Sequence, residues 1–175
     1  MSRSLIAAVT AMALLGTSAA AQDVSYDFDK SADFSSLHEY VWVRGTPVND
    51  ELNHRRIVEA IDRQLAAKGL RRADGREGAD VLIAYHAVFA RDLAVHGMSS
   101  GWGGYYLAPT RSGSARVEPV IVGTLMVEVI DATTGSTIWR GIATREVDVD
   151  AAPEKREKNI DKATQKLFKH YPPAS

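Results

Sequence analysis

Gly97-Met98-Ser99-Ser100-Gly101 spells G-x-S-x-G, a pattern that in one class of hydrolases holds a nucleophilic serine on a sharp turn. That elbow needs the serine between a strand and a helix of a parallel α/β sheet. Here Trp102-Gly103-Gly104 follows, which cannot start a helix, and the chain lacks strand–helix–strand alternation, so Ser99 is not expected to act as a nucleophile. The same Gly-rich run lacks the Lys and Ser/Thr of a phosphate-binding loop. The histidines, His38, His54, His86, His96 and His170, have no His-Glu-x-x-His spacing that would fix metal ligands on one face. His86 reads instead as a strand residue with a hydrogen-bond partner. Glu146, Asp148 and Asp150 recur at strand spacing and could together hold Ca²⁺. The simpler reading is a solvent-facing strand end, whose charges discourage edge-to-edge association.

Arg55-Arg56 and Arg71-Arg72 flank a helical stretch and could attract an anionic lipid or glycan. With Glu59, Asp62, Asp74, Glu77 and Asp80 among them, a mixed solvated surface is the better reading. The motifs thus point to no catalytic residue, no metal and no cofactor. One segment carries a different signal. Residues 91–117 join two strand-like runs that a short turn could join, and loops beyond about 12–15 residues without structure of their own are usually functional or disordered. Trp102, Tyr105 and Tyr106 lie among its glycines. Aromatic side chains with polar edges bury large area at low entropic cost, which makes these three the expected contact residues for a partner.

The elements that must position such a segment can be read from periodicity. Val24–Phe28 and Tyr40–Val43 read as strands. A helix is expected from about Asp50 to Lys68, with Leu52, Ile57, Val58, Ile61 and Leu65 on its apolar stripe, a Glu59–Arg63 pair on its surface and Gly69 at its C-terminal cap. Ala79–Ala90 is apolar at both alternating sets of positions and predicts a central strand covered on each side. Val120–Ile130 and Thr137–Val147 form a hairpin across the turn formers Asp131 to Ser136, where Gly135 tolerates positive φ. Pro153 opens a second helix with Ile160, Ala163, Leu167 and Phe168 on one face, and Pro172-Pro173 ends it. The order β-β-α-β-β-β-α predicts an α+β fold: an antiparallel sheet of about four to five strands with two helices packed on one face.

The first 21 residues predict export. Arg3 precedes the uncharged apolar run Leu5–Leu15, and Ala19-Ala20-Ala21 supplies the small residues that a signal peptidase reads. The run is too short for the ~30 Å hydrocarbon core of a bilayer. Cleavage before Gln22 removes one basic side chain and leaves 154 residues with 20 basic and 22 acidic groups. That balance argues against a nucleic-acid footprint. No Cys is present for a disulfide framework, thiol chemistry or a lipid anchor. The expected mature protein is one domain, residues 22–175, periplasmic or secreted, without a transmembrane segment.

Four blocks carry a resemblance: Tyr26–Val43 (YDFDKSADFSSLHEYVWV), Arg55–Leu70 (RRIVEAIDRQLAAKGL), Ala79–His86 (ADVLIAYH) and Gly123–Gly141 (GTLMVEVIDATTGSTIWRG). Together they resemble the bacterial family called domain of unknown function 4136. The resemblance implies an envelope protein. Many members are lipoproteins, and the family carries no established activity, substrate or catalytic residues to transfer. This chain departs from the lipoprotein members in lacking the anchoring Cys. The element order is also similar to small envelope assembly accessory proteins. The expected function is therefore a non-catalytic binding or accessory module of the envelope with an envelope protein as partner. The alternative is a small hydrolase or metal-dependent enzyme using loop Ser or His residues.

Overall fold

In the computed structural model, which describes residues 23–96 and 116–173, the elements run β1 (Asp23–Phe28), β2 (Glu39–Trp42), α1 (Glu51–Ala67), β3 (Arg71–Arg72), β4 (Val81–His96), β5 (Arg116–Asp131), β6 (Thr137–Glu146) and α2 (Pro153–Phe168). The α+β class is as expected, but the sheet differs. It has six strands in the order β1-β6-β5-β4-β2-β3, and it is mixed. β2 pairs in parallel with both β3 and β4, while β1, β4, β5 and β6 pair antiparallel. The cause is α1. Parallel neighbours need a long crossover, and a helix of 17 residues returns the chain about 25 Å, to the end of the sheet where β2 began. The chain therefore does contain one β-α-β crossover. β3 went unseen because two arginines carry no strand pattern.

Each boundary has a local cause. Asp50 caps α1 by accepting from the Asn53 amide at 3.1 Å. Gly69, at φ 90°, ends it while the Leu70 amide reaches back to the Leu65 carbonyl. Arg63 does not pair along its own helix with Glu59; it bonds Asp161 of α2 at 2.6 Å. At the β5–β6 turn the Asp131 carboxylate accepts from the amides of Thr133 and Thr134, and Gly135 has φ 71°.

Both helices cover one face of the sheet. Tyr40, Val81, Ile83, Tyr85, Val127, Val129 and Trp139 share a buried cluster with Ile57, Ile61 and Leu65 of α1 and Leu167 and Phe168 of α2. The expected cover on both sides of β4 extends only through residues 81–85, where Leu82 and Ala84 are buried on the opposite face; Val88 and Phe89 are exposed. Beyond them β4 and β5 continue as a ribbon to the last described pair, His96↔Arg116. The expected loop at 91–117 is accordingly shorter: Arg91–His96 and Arg116–Val117 are strand. Arg91-Asp92 followed by Leu93-Ala94-Val95 has no period-two alternation, so the sequence carries no strand signal there.

Candidate functional site

The small residues of three adjacent strands open a groove on the helix-covered face. Register aligns Ala87, Leu125 and Ala143 in one cross-strand row and Phe89, Gly123 and Arg145 in the next. Over this floor stand Asn53 and Ile57 from α1 and Arg156, Asn159, Ile160 and Ala163 from α2, enclosing about 420 Å³. Asp50 at the start of α1 lies 4.0 Å from Arg156 in α2, and Arg63 meets Asp161 further along, so the helices run side by side with both N-termini at the groove. Short side chains at Ala87, Ala143 and Ala163 leave unfilled the space that Tyr85, Val127, Trp139 and Leu167 fill deeper in the core. Gly123 is held small by its surroundings: a Cβ there would lie 2.7 Å from Val147 Cγ2 and 3.2 Å from the Phe89 ring.

The lip is mixed. Phe89 and Val149 are 56% and 50% exposed. The Arg156 guanidinium donates to the carbonyls of Ala151 and Val149. Arg145 donates through Nε to the Glu146 carbonyl, and its terminal amino groups have no partner among the described residues. Asp148 accepts from Lys155 at 2.9 Å and from the Asp150 amide, and these hydrogen bonds hold its carboxyl below the ordinary carboxylate range. β6 ends at Glu146, so Glu146, Asp148 and Asp150 do not form the expected strand face. Among the described residues no cluster of three or more His, Cys, Asp or Glu side chains is placed to hold a metal.

On the opposite face, His86 has the expected partners. Gly45 lets residues 43–46 run against β4, since a Cβ there would collide with the Tyr85 carbonyl. Thr46 thus reaches His86, whose Nδ1 lies 3.0 Å from Thr46 Oγ1 and whose Nε2 lies 3.2 Å from Glu128 Oε2. The hydroxyl–imidazole–carboxylate line imitates a catalytic relay. However, Glu128 also accepts two bonds from Arg140, at 2.7 and 3.0 Å, which commits its charge to the arginine. Desolvation pushes the Glu128 pKa up, but the Arg140 hydrogen bonds and charge and the neighbouring His86 outweigh it and hold the pKa below the usual value. A depressed carboxylate pKa contributes stability above the unfolded value of about 4.3 and loses it as pH falls through the folded value. The melting-temperature gap between wild type and Arg140→Met should therefore narrow as pH drops from 6 to 2.5. A gap unchanged with pH would refute this account of the network.

The Arg pairs are largely committed to structure. Arg56 donates to Asn53, Arg71 to Glu39 and Arg72 to Asp62. Trp102, Tyr105 and Tyr106 lie outside the described residues, as do Ser99 and the predicted export segment 1–21; His96 ends β4. The groove went unread in the sequence because its residues come from separate stretches of chain, 48–57, 87–89, 121–125, 143–149 and 156–163, that share no local pattern. The alignment of Ala87 with Ala143 needs the strand register.

Fold and groove together define an α+β protein with a mixed six-stranded sheet, two helices on one face and a cleft between them. The chain belongs to the family described as Domain of unknown function (DUF4136), which it matches over residues 24–173. A DUF4136 family protein from Bacteroides thetaiotaomicron has a similar solved structure, with 20% identity, TM-score 0.54, and 86% of this chain and 96% of that one covered. The PelC dodecamer from Paraburkholderia phytofirmans is similar at 12% identity and TM-score 0.52, covering 85% and 95%. A PDZ domain protein from Parabacteroides distasonis matches at 15% identity and TM-score 0.52 over 88% of this chain, which spans only 37% of that protein's length. At these identities the likeness is one of fold. No curated protein sequence matches the chain. No helix among the described residues is long and apolar enough to cross a membrane.

Proposed function

We propose that this chain is a non-catalytic binding module of the cell envelope, exported through residues 1–21 and acting in the periplasm or beyond it. The observation that carries the reading is the groove of about 420 Å³ between the helices and the sheet, with exposed Phe89 and Val149 at its lip. Its volume falls within the range of small-molecule sites, which are concave, mainly apolar and provided with a few polar groups. Trp102, Tyr105 and Tyr106 are proposed, from sequence alone, as contacts for an envelope protein partner.

The test uses purified protein lacking residues 1–21, incubated with detergent-solubilised envelope, recovered and examined by native mass spectrometry. Wild type should carry a bound small molecule at near-stoichiometric occupancy. Ala87→Trp, which fills the floor of the groove, should lose it while melting cooperatively. Equal occupancy in both proteins, or none in wild type, would overturn the groove as the site.

A further inference from the structure

We propose that the groove binds a long-chain carboxylate, its single alkyl tail laid along the sheet floor and its head group held at Arg145. The inference rests on the reading of the groove as a binding site and adds the class of ligand. The floor formed by Ala87, Leu125 and Ala143 offers no charged side chain, so the deep part of the ligand must be apolar. A methylene occupies close to the ~30 Å³ share of a liquid water, so the cavity holds on the order of a dozen methylenes, one tail rather than two. The exposed Phe89 and Val149 extend the apolar surface to the lip, where part of a tail leaving the cavity stays covered.

Charge at the lip selects the head group. The two carboxylates there are already engaged: Asp50 caps α1 through the Asn53 amide, and Asp148 is bonded to Lys155. Arg156 is turned to two backbone carbonyls. That leaves the terminal amino groups of Arg145 as unpartnered charged donors beside the apolar floor, with the Asn159 amide, also unbonded among the described residues, across the cleft. Planar guanidinium donors match a carboxylate in two parallel hydrogen bonds. A tail in the cavity places an anionic head within the reach of Arg145, whereas a cationic head would find only the carboxylates of Asp50 and Asp148, already bonded to Asn53 and Lys155.

The experiment is isothermal titration of the protein lacking residues 1–21, below micelle-forming concentrations. The probes are dodecanoate, dodecyl phosphate and the neutral 1-O-dodecylglycerol. Dodecanoate should bind wild type and bind Arg145→Gln at least tenfold more weakly, as expected on losing a charge-assisted pair. The neutral ether should bind both proteins alike. Phe89→Asp, at a residue already 56% exposed, should still melt cooperatively, weaken all three probes by uncovering the tail, and weaken the two anions most by adding a like charge at the lip. If dodecanoate and the ether bind with equal affinity and neither responds to Arg145→Gln, the anion assignment is overturned while the groove remains a binding site. Binding of none of the three would overturn the ligand class, and the envelope-extract test then decides the groove separately. Tighter binding of dodecyl phosphate than of dodecanoate would overturn the carboxylate and point to a phosphate head.

Discussion

Trp139→Ala will lower the free energy of unfolding by about 3–5 kcal/mol, the usual cost of truncating a fully buried large aromatic. Trp139 is fully buried in β6. Its ring packs against Phe168 at 5.6 Å and edge-on to Tyr171 at 5.2 Å between centroids, and its Nε1 donates to the His170 carbonyl at 3.2 Å. The residue thereby ties the sheet to the C-terminal end of α2. Tyr171 lies in the same packing, and burial pushes its phenol up to about 12. For a domain of this size the loss corresponds to roughly 10 °C or more in Tm, read by calorimetry. A drop of only a degree or two would show that the aromatic cluster is not the centre of the core.

Gly141 supplies an internal control. A Cβ at Gly141 would collide with the Trp139 ring and lie 2.8 Å from Leu167 Cδ2. Gly141→Ala should therefore cost about 1–3 kcal/mol in wild type. In the Trp139→Ala background it should cost clearly less, because half of the collision is gone; additive costs in the double variant would contradict the packing described.

Asp62→Ala will cost about 2–4 kcal/mol, because one carboxylate oxygen serves two donors on the sheet. Asp62 Oδ1 accepts from Tyr40 Oη at 2.7 Å and from Trp42 Nε1 at 2.8 Å, and Oδ2 faces Arg72 at 3.5 Å. Tyr40 is buried, and desolvation, together with its bond to Asp62, raises the pKa of its phenol. Removing the carboxylate strands a phenol and an indole N–H beneath α1, whereas Asp62→Asn keeps an acceptor oxygen and should lose less than half as much. Urea unfolding of both variants, and of the Tyr40→Phe/Asp62→Ala pair, measures the coupling. A loss for Asp62→Ala no larger than that for Asp62→Asn would show that these bonds contribute little. A lone Asp on the polar side of a helix gave no such signal: Trp42 and Asp62 meet only because β2 lies beneath α1.

Local chemistry is what a sequence carries most directly. Alternation in Val24–Phe28, the helical stripe through Ile57, Ile61 and Leu65, the turn formers around Gly135 and the N-terminal Pro153 each act over a few residues. The structure places β1, α1, the β5–β6 turn and α2 where those signals predict. Direction and partnership are set elsewhere. Parallel pairing of β2 with β4 depends on the length of the crossover and on which edge is free, and the two-residue β3 exists only because β2 offers it an edge. Arg63 could satisfy its charge on Glu59 one turn away, yet it bonds Asp161, because packing brings α2 closer than the intrahelical geometry does.

The candidate site divides the same way. Sequence alone singled out the aromatics between β4 and β5, assigned the chain to its family and showed that no Cys is available. It showed nothing of the groove, since Ala87, Ala143 and Ala163 look like ordinary small core residues until strand register and helix placement align them. Whether a small side chain closes a core or leaves a cavity is decided by what stands opposite it, which is a property of the tertiary structure.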